Sequence, residues 1–553
     1  MIWLSDGNRH VHAECPSFIV LRLMRSETTT HPALNLMKAQ DLAGSNGQWK
    51  NGLAIEHLWL FVPIFVLLWR AFNFPLPVLD FWWHLKMGEV IASTRAIPRV
   101  DLFSFTMAGH PFVVQNWLGE LVLYWTYKLG GFPLLVFFFG LIALFTFILV
   151  YKLCLAATSK LRLAILVALL AAVGTYSFSR PQTFSFLFFA IYYFVLTRYR
   201  ERRSDVLWLL PALMALWVNI HGAFALGLGL VALYIVSESI RRLVDVSRTD
   251  ALEFDEIRKL VLILVLCGAA TLLNPETYKV YDYIRTVVSD PASQQYVMEW
   301  QPPAIKDIQS ILIFYAPLLI GLFTFMYSRV KPDLTEIAIF FGFGLFGMTA
   351  IRNAGWFTIT AYPIITRYLP LVDFDSLLPS RFHKTNRIVD WLNRPDREPR
   401  AYSHLNTVIA CVALIALIGQ SPWIKPALAR TSLLDPQTPV GAADFIEQSE
   451  LTGRIFHPQI YGDYLIWRLW PRQKSFFDGR VHLFDVEFVR QNIMLLHDSH
   501  WEDLLARWDI QYILLSKGPG DNTNSKVIES ARNSTRWKKL YEDDVSILFE
   551  KLW

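Results

Sequence analysis

Residues 132–151 read FPLLVFFFGLIALFTFILVY, a run without a single charged side chain. A helix of this length crosses the roughly 30 Å hydrocarbon core of a membrane. Comparable apolar runs recur at 57–75, 161–178, 182–197, 206–220, 222–238, 258–273, 309–327, 335–351, 355–371 and 405–421. The sequence therefore predicts a mainly α-helical, polytopic membrane protein with about eleven transmembrane helices.

Composition supports this class. The chain has 553 residues, of which 54% are hydrophobic and only 18% are charged. The net charge of +5 is small for this length, so we expect no nucleic-acid partner. The cysteines Cys15, Cys154, Cys267 and Cys411 are far apart and lack metal-ligand spacing, which argues against a disulfide framework or a zinc site.

Lysine and arginine residues predict the orientation, because cytoplasmic loops of membrane proteins are enriched in them. If the N-terminus is inside, the inner loops are 152–160, 198–205, 239–257, 328–334 and 372–404, and they are the more basic set. This alternation holds with eleven spans. It places the first long loop, residues 76–131, and the C-terminal stretch, residues 422–553, on the outer side. We expect the inner ends to carry mainly solvated basic side chains.

Three regions follow from this topology. Residues 1–56 are polar and are expected to form a disordered cytoplasmic segment, followed by a transmembrane domain over 57–421. Within the first outer loop, Trp117–Lys128 is short and contains Glu120, which favours an amphipathic helix at the interface. In residues 422–553, strand-like and helix-like pieces alternate, which predicts a small α/β domain outside the membrane. Its clearest strands and helices are expected at Gln511–Ser516, Val545–Glu550, Val486–Leu496 and Trp501–Trp508.

Ionisable and polar side chains gather at the predicted outer ends of the spans, where charges are costly and usually functional. The candidates for a site are Asp80, His84, Asp101, Glu120, Arg180, Asn219, His221, Glu299 and Arg352. Carboxylates together with arginine and histidine on one water-facing side suit a site for an anionic lipid head group.

Each candidate also has a purely structural interpretation. Asp80 precedes a helical stretch and is in a position to cap it, and Asp101 follows Ile97-Pro98 and can cap a turn. Arg180 can snorkel to lipid head groups. Taken singly, His84 and His221 are more often ordinary interfacial histidines.

The chemistry of transfer from a phosphate-linked sugar is specific. The phosphate requires cations or helix N-termini around it, and Arg180, His221 and Arg352 can serve. The acceptor hydroxyl requires a carboxylate as general base, for which Asp80 and Asp101 are the candidates. Inverting transfer needs only that one base.

The outer-loop residues form a pattern that resembles a known group. The first loop reads DFWWHLKMGE (80–89), IPRVDLFSFT (97–106) and QNWLGE (115–120), and the similarity continues through RPQ (180–182), WVNIHG (217–222), LNP (273–275), EWQP (299–302), YGDYL (461–465) and FDGR (477–480). This looks like bacterial membrane proteins of the GT-C glycosyltransferase superfamily that use polyprenyl-phosphate sugars. The likeness covers most of the chain after residue 57.

The resemblance implies an inverting, lipid-phosphate-sugar-dependent glycosyltransferase in the bacterial inner membrane, with its C-terminal domain periplasmic or extracellular. Position for position, it implicates Asp80 as the catalytic base and Asp101 as the second acidic residue. Its expected partners are a polyprenyl-phosphate-linked sugar donor, a lipid, glycan or protein acceptor, and membrane lipids. Some members carry a tight acidic pair, whereas this chain has Asp80-Phe81-Trp82. No cofactor is certain, and a divalent metal stays possible.

Two other functions remain open from the sequence. A transporter or flippase for lipid-linked glycans is expected to show paired halves and polar groups near the membrane midplane, whereas here the halves differ. A non-catalytic GT-C-like scaffold for envelope assembly is the third possibility, with Asp463, Asp478 and Arg480 as partner contacts. For these three residues, turns and fold-stabilising ion pairs are the favoured interpretation.

Overall fold

The structure is a computed structural model that describes residues 53, 55–175, 180–245, 250–373, 402–424, 433–495, 501–518 and 522–552. Nearly all of the predicted cytoplasmic segment 1–56 and most of the predicted inner loop 372–404 therefore lie outside the described residues.

A helix occupies the position of every predicted span. The helices of this region are α1 (Ile55–Asn73), α2 (Phe81–Thr94), α3 (Trp117–Thr158), α4 (Leu161–Thr175), α5 (Gln182–Arg200), α6 (Leu209–Trp217), α7 (Phe224–Val244), α8 (Phe254–Thr271), α9 (Lys279–Val288), α10 (Pro291–Tyr296), α11 (Ile308–Tyr327), α12 (Leu334–Thr349), α13 (Ala354–Tyr368) and α14 (Ser403–Gly419). Their packed faces form one apolar core built from leucine, phenylalanine and other large side chains.

Helix length decides how many of these helices can cross a membrane alone. Among the described residues, four helices are long and apolar enough: α1, α3, α7 and α11. Several others are shorter, and α6 has only nine residues, about 14 Å of helix. The chain is thus an integral membrane protein of mainly helical fold, while the count of eleven spans stays a prediction.

The first loop packs two helices closely together. Helix α3 is broken at Gly130 and Gly131, whose backbone angles are not helical, and this break separates the predicted interfacial helix from the predicted span 132–151. Helix α2 lies against the first half of α3. A Cβ atom at Gly88 of α2 would come within 2.1 Å of the Glu120 carbonyl oxygen, so only glycine allows this contact.

The C-terminal stretch forms a small α/β domain, as predicted. Its helices are α15 (Val440–Gln448), α16 (Gln459–Leu469), α17 (Val486–Leu495), α18 (Trp501–Ala506) and α19 (Asn522–Asn533), and its strands are β1 (Arg454–Phe456), β2 (Ile510–Ser516), β3 (Trp537–Glu542) and β4 (Ser546–Lys551). The sheet order is β1-β2-β4-β3, with β1 parallel to β2 and the other pairs antiparallel.

This domain is anchored on the first loop by backbone and side-chain hydrogen bonds. The Ser475 backbone bonds to the Phe103 carbonyl at 2.8 Å and to the Phe105 amide at 3.0 Å, and the Trp470 indole donates to the Leu102 carbonyl. Helix α16 also packs directly on α2. The first loop is therefore held between the helical bundle and the C-terminal domain.

Candidate functional site

Asp80 lies at the start of α2 in an unusual backbone conformation. Its φ and ψ are 63° and −50°, and the Phe81 amide donates to the Leu79 carbonyl at 2.8 Å, so Asp80 is the central residue of a tight γ-turn. This turn is rare and strained for a residue with a side chain. The Asp80 carboxylate does not cap α2. It accepts a hydrogen bond from the Arg180 guanidinium instead.

Arg180 connects two carboxylates that are distant in sequence. One of its terminal nitrogens donates to Asp80 and the other to Glu299. The second oxygen of Glu299 lies 3.2 Å from Arg352, whose guanidinium sits 4.4 Å above the Trp300 ring. Two carboxylates and two arginines thus alternate in one chain of contacts, which we call the Asp80 cluster.

The side chains of the Asp80 cluster remain partly accessible. Their exposed fractions are 28% for Asp80, 11% for Arg180, 27% for Glu299 and 21% for Arg352. The sequence predicted all four as candidates without pairing them. The turn before α5, the short helical turn Met298–Trp300 and the turn Ile351–Asn353 bring them together.

Burial and neighbouring charges act differently on the two carboxyl groups. Burial raises the pKa of Asp80 above its usual range, and Glu299 adds to the shift while Arg180 opposes it. Burial opposes ionisation of Glu299 as well, but Arg180 and Arg352 outweigh it and lower the pKa of Glu299 to about 2. Glu299 is therefore a fixed anion, whereas Asp80 can exchange a proton more readily.

His221 lies beside this cluster but is not a cation. Burial lowers its pKa to about 3, and Arg352 and Arg180 reinforce the shift. Its Nδ1 accepts a hydrogen bond from the Ala223 amide at 3.2 Å and lies 3.0 Å from the Ser185 hydroxyl. The sequence-based idea that His221 offers a positive charge to a phosphate is replaced by that of a neutral imidazole.

His84 and Glu120 contact each other rather than the Asp80 cluster. The His84 Nδ1 lies 2.8 Å from Glu120, and the two side chains are 7% and 1% exposed. Burial, together with Arg180, lowers the pKa of His84 well below its usual value. The atoms of this pair are sterically covered, so it does not present an open binding surface in this conformation.

Asn219 holds neighbouring segments together. Its side-chain oxygen accepts from the Trp117 indole at 2.8 Å and from the Asn274 amide at 3.2 Å. These contacts join the start of α3 to the loops after α6 and α8. These hydrogen bonds explain the position of the Asn219 side chain without a role in substrate binding.

Asp101 is engaged in a buried ion pair with Arg480, and within the described part of the chain the hydrogen bonds of its carboxylate involve no residue of the Asp80 cluster. Its carboxylate accepts from the amides of Phe103 and Ser104 and from Arg480 at 2.6 Å. Arg480 also pairs with Asp478, and all three charged side chains have no exposed surface. These contacts agree with the turn-capping interpretation of Asp101 and with the interpretation of Asp478 and Arg480 as fold-stabilising ion-pair residues.

Asp463 is a residue of the site that sequence reasoning missed. It lies on α16 of the C-terminal domain and is fully buried. One carboxylate oxygen accepts from the Asp80 amide and the other from the Gly479 amide at 2.8 Å. Burial raises the pKa of Asp463 well above its usual range, and Asp478 and Asp80 add to the shift. The YGDYL and FDGR segments were the available signal, but nothing in them indicated contact with Asp80.

The described residues give no set of metal ligands. No group of three or more histidine, cysteine, aspartate or glutamate side chains among them is arranged to hold an ion. Arg180 occupies the position beside Asp80 that a cation would take, and both oxygens of Asp463 face backbone amides. This donor set does not fit a divalent metal.

A second charged network lies at the opposite end of the bundle, where solvated basic residues were expected. There Arg200 and Arg241 both contact Glu238, at 2.6 and 2.7 Å. Their pairing with Asp333 links α5, α7 and α12. Glu238 has no exposed side-chain surface and Arg241 only 1%. The expectation is wrong for these arginines, since acidic residues on neighbouring helices neutralise them within the fold.

Comparison with known proteins supports the fold. No protein-family model and no curated protein sequence matches the chain. Among solved structures, the archaeal oligosaccharyltransferase AglB from Archaeoglobus fulgidus, in complex with an inhibitory peptide and a dolichol-phosphate, is similar with a TM-score of 0.51 and 10% identity, over 83% of this chain and 69% of that chain.

Two further likenesses are too weak to support a conclusion. ArnT from Cupriavidus metallidurans, bound to undecaprenyl phosphate, has a TM-score of 0.48 and 13% identity over 90% of this chain and 98% of that chain. The arabinofuranosyltransferase AftD from Mycobacteria has a TM-score of 0.45 and 11% identity over 90% and 40%. The likeness to AglB, a GT-C glycosyltransferase, shows that this chain has a similar fold.

Proposed function

We propose that this protein is a membrane glycosyltransferase that moves a sugar from a polyprenyl-phosphate donor to an acceptor hydroxyl on the outer face of the membrane. The Asp80 cluster carries the proposal. It combines a carboxylate of raised pKa with two arginines, is partly open to solvent, and occurs on a GT-C fold. The comparison protein AglB was solved with a dolichol-phosphate, which is consistent with a lipid-phosphate ligand.

The reaction assigns one role to each side of the cluster. Asp80 accepts the proton of the acceptor hydroxyl while the oxygen of that hydroxyl attacks the anomeric carbon of the donor sugar. The bond from that carbon to the phosphate oxygen breaks, and the polyprenyl phosphate leaves with the electron pair, so the configuration inverts. Only one base is needed because the phosphate is already a good leaving group.

Arg180 and Arg352 stabilise the negative charge on the departing phosphate. Guanidinium groups bind phosphate oxygens through paired N–H donors. In the structure these donors face Asp80 and Glu299. A bound phosphate would take over part of this bonding, and release of Arg180 from Asp80 would make Asp80 a stronger base. His221 contributes a neutral N–H donor at most.

Asp101 is better explained as a supporting residue than as a base. All of its polar contacts are made within the protein and its side chain has no exposed surface, so an acceptor hydroxyl cannot reach it without unfolding the loop. His84, Glu120 and Asn219 are likewise proposed to hold the first loop in shape. The substrate-facing set is then Asp80, Arg180, Glu299 and Arg352, with His221 beside it.

Transfer from defined donors to candidate acceptors by the purified protein in lipid nanodiscs tests the proposal. Asp80→Asn should abolish transfer, and asparagine tolerates a positive φ, so the backbone is expected to remain in place. Asp307→Asn, an exposed carboxylate that caps a different helix, is the matched control. Wild-type transfer should fall as pH drops through the raised pKa of Asp80. Full activity of Asp80→Asn would refute the assignment of the base.

A further inference from the structure

The contact between Asp463 and Asp80 joins the C-terminal domain directly to the candidate base. Asp463 accepts the Asp80 backbone amide with one oxygen, although the two residues are 383 positions apart in sequence. Its other oxygen accepts the Gly479 amide at 2.8 Å. The same carboxylate therefore ties together the first loop and two segments of the C-terminal domain.

The Asp80 backbone needs such a partner. A γ-turn with φ of 63° is strained for any residue other than glycine, and it persists only where its surroundings hold it. The Phe81 amide bonds inside the turn, which leaves the Asp80 amide pointing outward. Asp463 supplies the acceptor for that amide. The direction of the Asp80 side chain, and hence its contact with Arg180, follows from this backbone conformation.

Gly479 completes the same arrangement from the other side. A Cβ atom at this position would lie 2.7 Å from Asp80 Oδ1 and 2.6 Å from Asp463 Oδ2. A side chain there would push the two carboxylates apart. Gly462 plays a parallel part within the domain, since its Cβ would meet the Phe477 carbonyl oxygen at 2.1 Å. Both glycines allow α16 and the segment 477–480 to approach Asp80 closely.

We propose that Asp463 is a positioning residue for the transfer reaction, so that the C-terminal domain completes the reaction centre by fixing the turn that aims Asp80. This inference rests on the proposed glycosyltransferase function. It gives the YGDYL and FDGR segments a role in the reaction, beyond holding the domain together. The carboxylate of Asp463 itself contacts protein groups alone, and it acts through the Asp80 backbone.

Two variants of Asp463 and a matched control test this role. In Asp463→Asn one acceptor oxygen remains, and in Asp463→Ala none remains. We expect kcat to fall about 10-fold and about 100-fold respectively, with an unchanged KM for the donor, because a displaced base slows chemistry rather than binding. Asp444→Asn removes a half-exposed carboxylate of the same domain that pairs with Arg468, and it should behave as wild type. The melting temperature of each variant is measured alongside.

Gly479→Ala gives a second test that keeps the Asp463 side chain but crowds its carboxylate and that of Asp80. It should lower kcat in the same way, because its methyl group displaces the Asp80 carboxylate. Gly518→Ala, where the new Cβ would meet a flexible glutamine side chain at 3.1 Å, is its control. If Asp463→Ala fails to fold, Gly479→Ala still decides whether the position of Asp80 limits the reaction.

Hydrogen–deuterium exchange at the Asp80 amide measures its hydrogen bond to Asp463 and does not require a transfer assay. Exchange should accelerate at least about 10-fold in Asp463→Ala and stay unchanged in Asp444→Asn, because a lost hydrogen bond exposes the amide. Unchanged exchange in Asp463→Ala, or faster exchange with wild-type kcat, would overturn the positioning role. Absence of transfer by the wild type would overturn the proposed function and the catalytic role together, and the exchange result would still show whether Asp463 holds the turn.

Discussion

Replacement of Arg180 is the most direct probe of the charge arrangement in the Asp80 cluster. Its two terminal nitrogens donate to Asp80 and Glu299, and its side chain is only 11% exposed. In Arg180→Ala, two neighbouring carboxylates lose their shared counter-ion, and a bound phosphate loses two charge-assisted donors. The pKa of Asp80 should then rise further, because Glu299 repels its ionised form and the opposing guanidinium is gone.

The magnitude follows from the number of bonds. A hydrogen bond to a charged group contributes about 1.5–3 kcal/mol, and both donors act in the transition state. We therefore expect Arg180→Ala to lose about 3–6 kcal/mol of transition-state stabilisation, which is about 10²- to 10⁴-fold in kcat/KM. Arg180→Lys keeps the charge but replaces the planar fork by one ammonium group, so it should recover about half of that free energy.

Initial rates of sugar transfer in nanodiscs, measured over a range of donor concentrations, check this expectation. Arg258→Ala is the control, because this side chain is 80% exposed at the far end of the bundle and, among the described residues, pairs only with Asp255. If Arg180→Ala keeps kcat/KM within about threefold of the wild type, less than the loss of one such bond, then Arg180 binds no phosphate. A large loss that Arg180→Lys fully restores would refute the requirement for two donors.

Three further predictions concern stability and topology. In thermal unfolding, the stability difference between wild type and Glu299→Gln should be full above about pH 4.5 and vanish as pH falls towards 2, because the lowered pKa of Glu299 makes its ionised form the stabilising one. Asp101→Asn should destabilise the fold by about 3–5 kcal/mol, since Arg480 loses part of its buried pairing; loss of transfer at an unchanged melting temperature would instead restore Asp101 as a candidate base. In intact cells expressing a variant without native cysteines, Thr535→Cys should react with a membrane-impermeant thiol reagent and Asp255→Cys should not, and the reverse pattern would invert the proposed orientation.

Particular residues show what kind of information the sequence carries about the site. Arg180, Glu299 and Arg352 were identified because a charged residue at the end of an apolar segment can be recognised in the sequence alone. The residues alone did not distinguish Asp80 from Asp101, since both are aspartates in the same loop, and only the resemblance favoured Asp80 as the base. Their surroundings differ only in three dimensions. Asp101 is enclosed by Arg480 and backbone amides, whereas Asp80 remains partly exposed beside Arg180.

Local sequence patterns were enough to predict the class of the protein and the positions of its apolar helices. Apolar runs such as 132–151 must be helical in a membrane, because their backbone groups have no other hydrogen-bond partners there. The strand-like pieces Gln511–Ser516 and Val545–Glu550 likewise predicted β2 and β4 of the C-terminal domain. These are local properties, so they can be read along the chain.

Contacts between charged groups, in contrast, depend on tertiary packing. The bond from the Asp80 amide to Asp463 joins residues 383 positions apart, and Arg200 contacts Asp333 across 133 positions. Such pairings depend on how helices pack and where the C-terminal domain is anchored. The γ-turn at Asp80 is likewise held by tertiary contacts, and no glycine in the sequence indicates it. The helices follow from the apolar character of each segment, whereas the proposed reaction centre depends on how distant segments pack together.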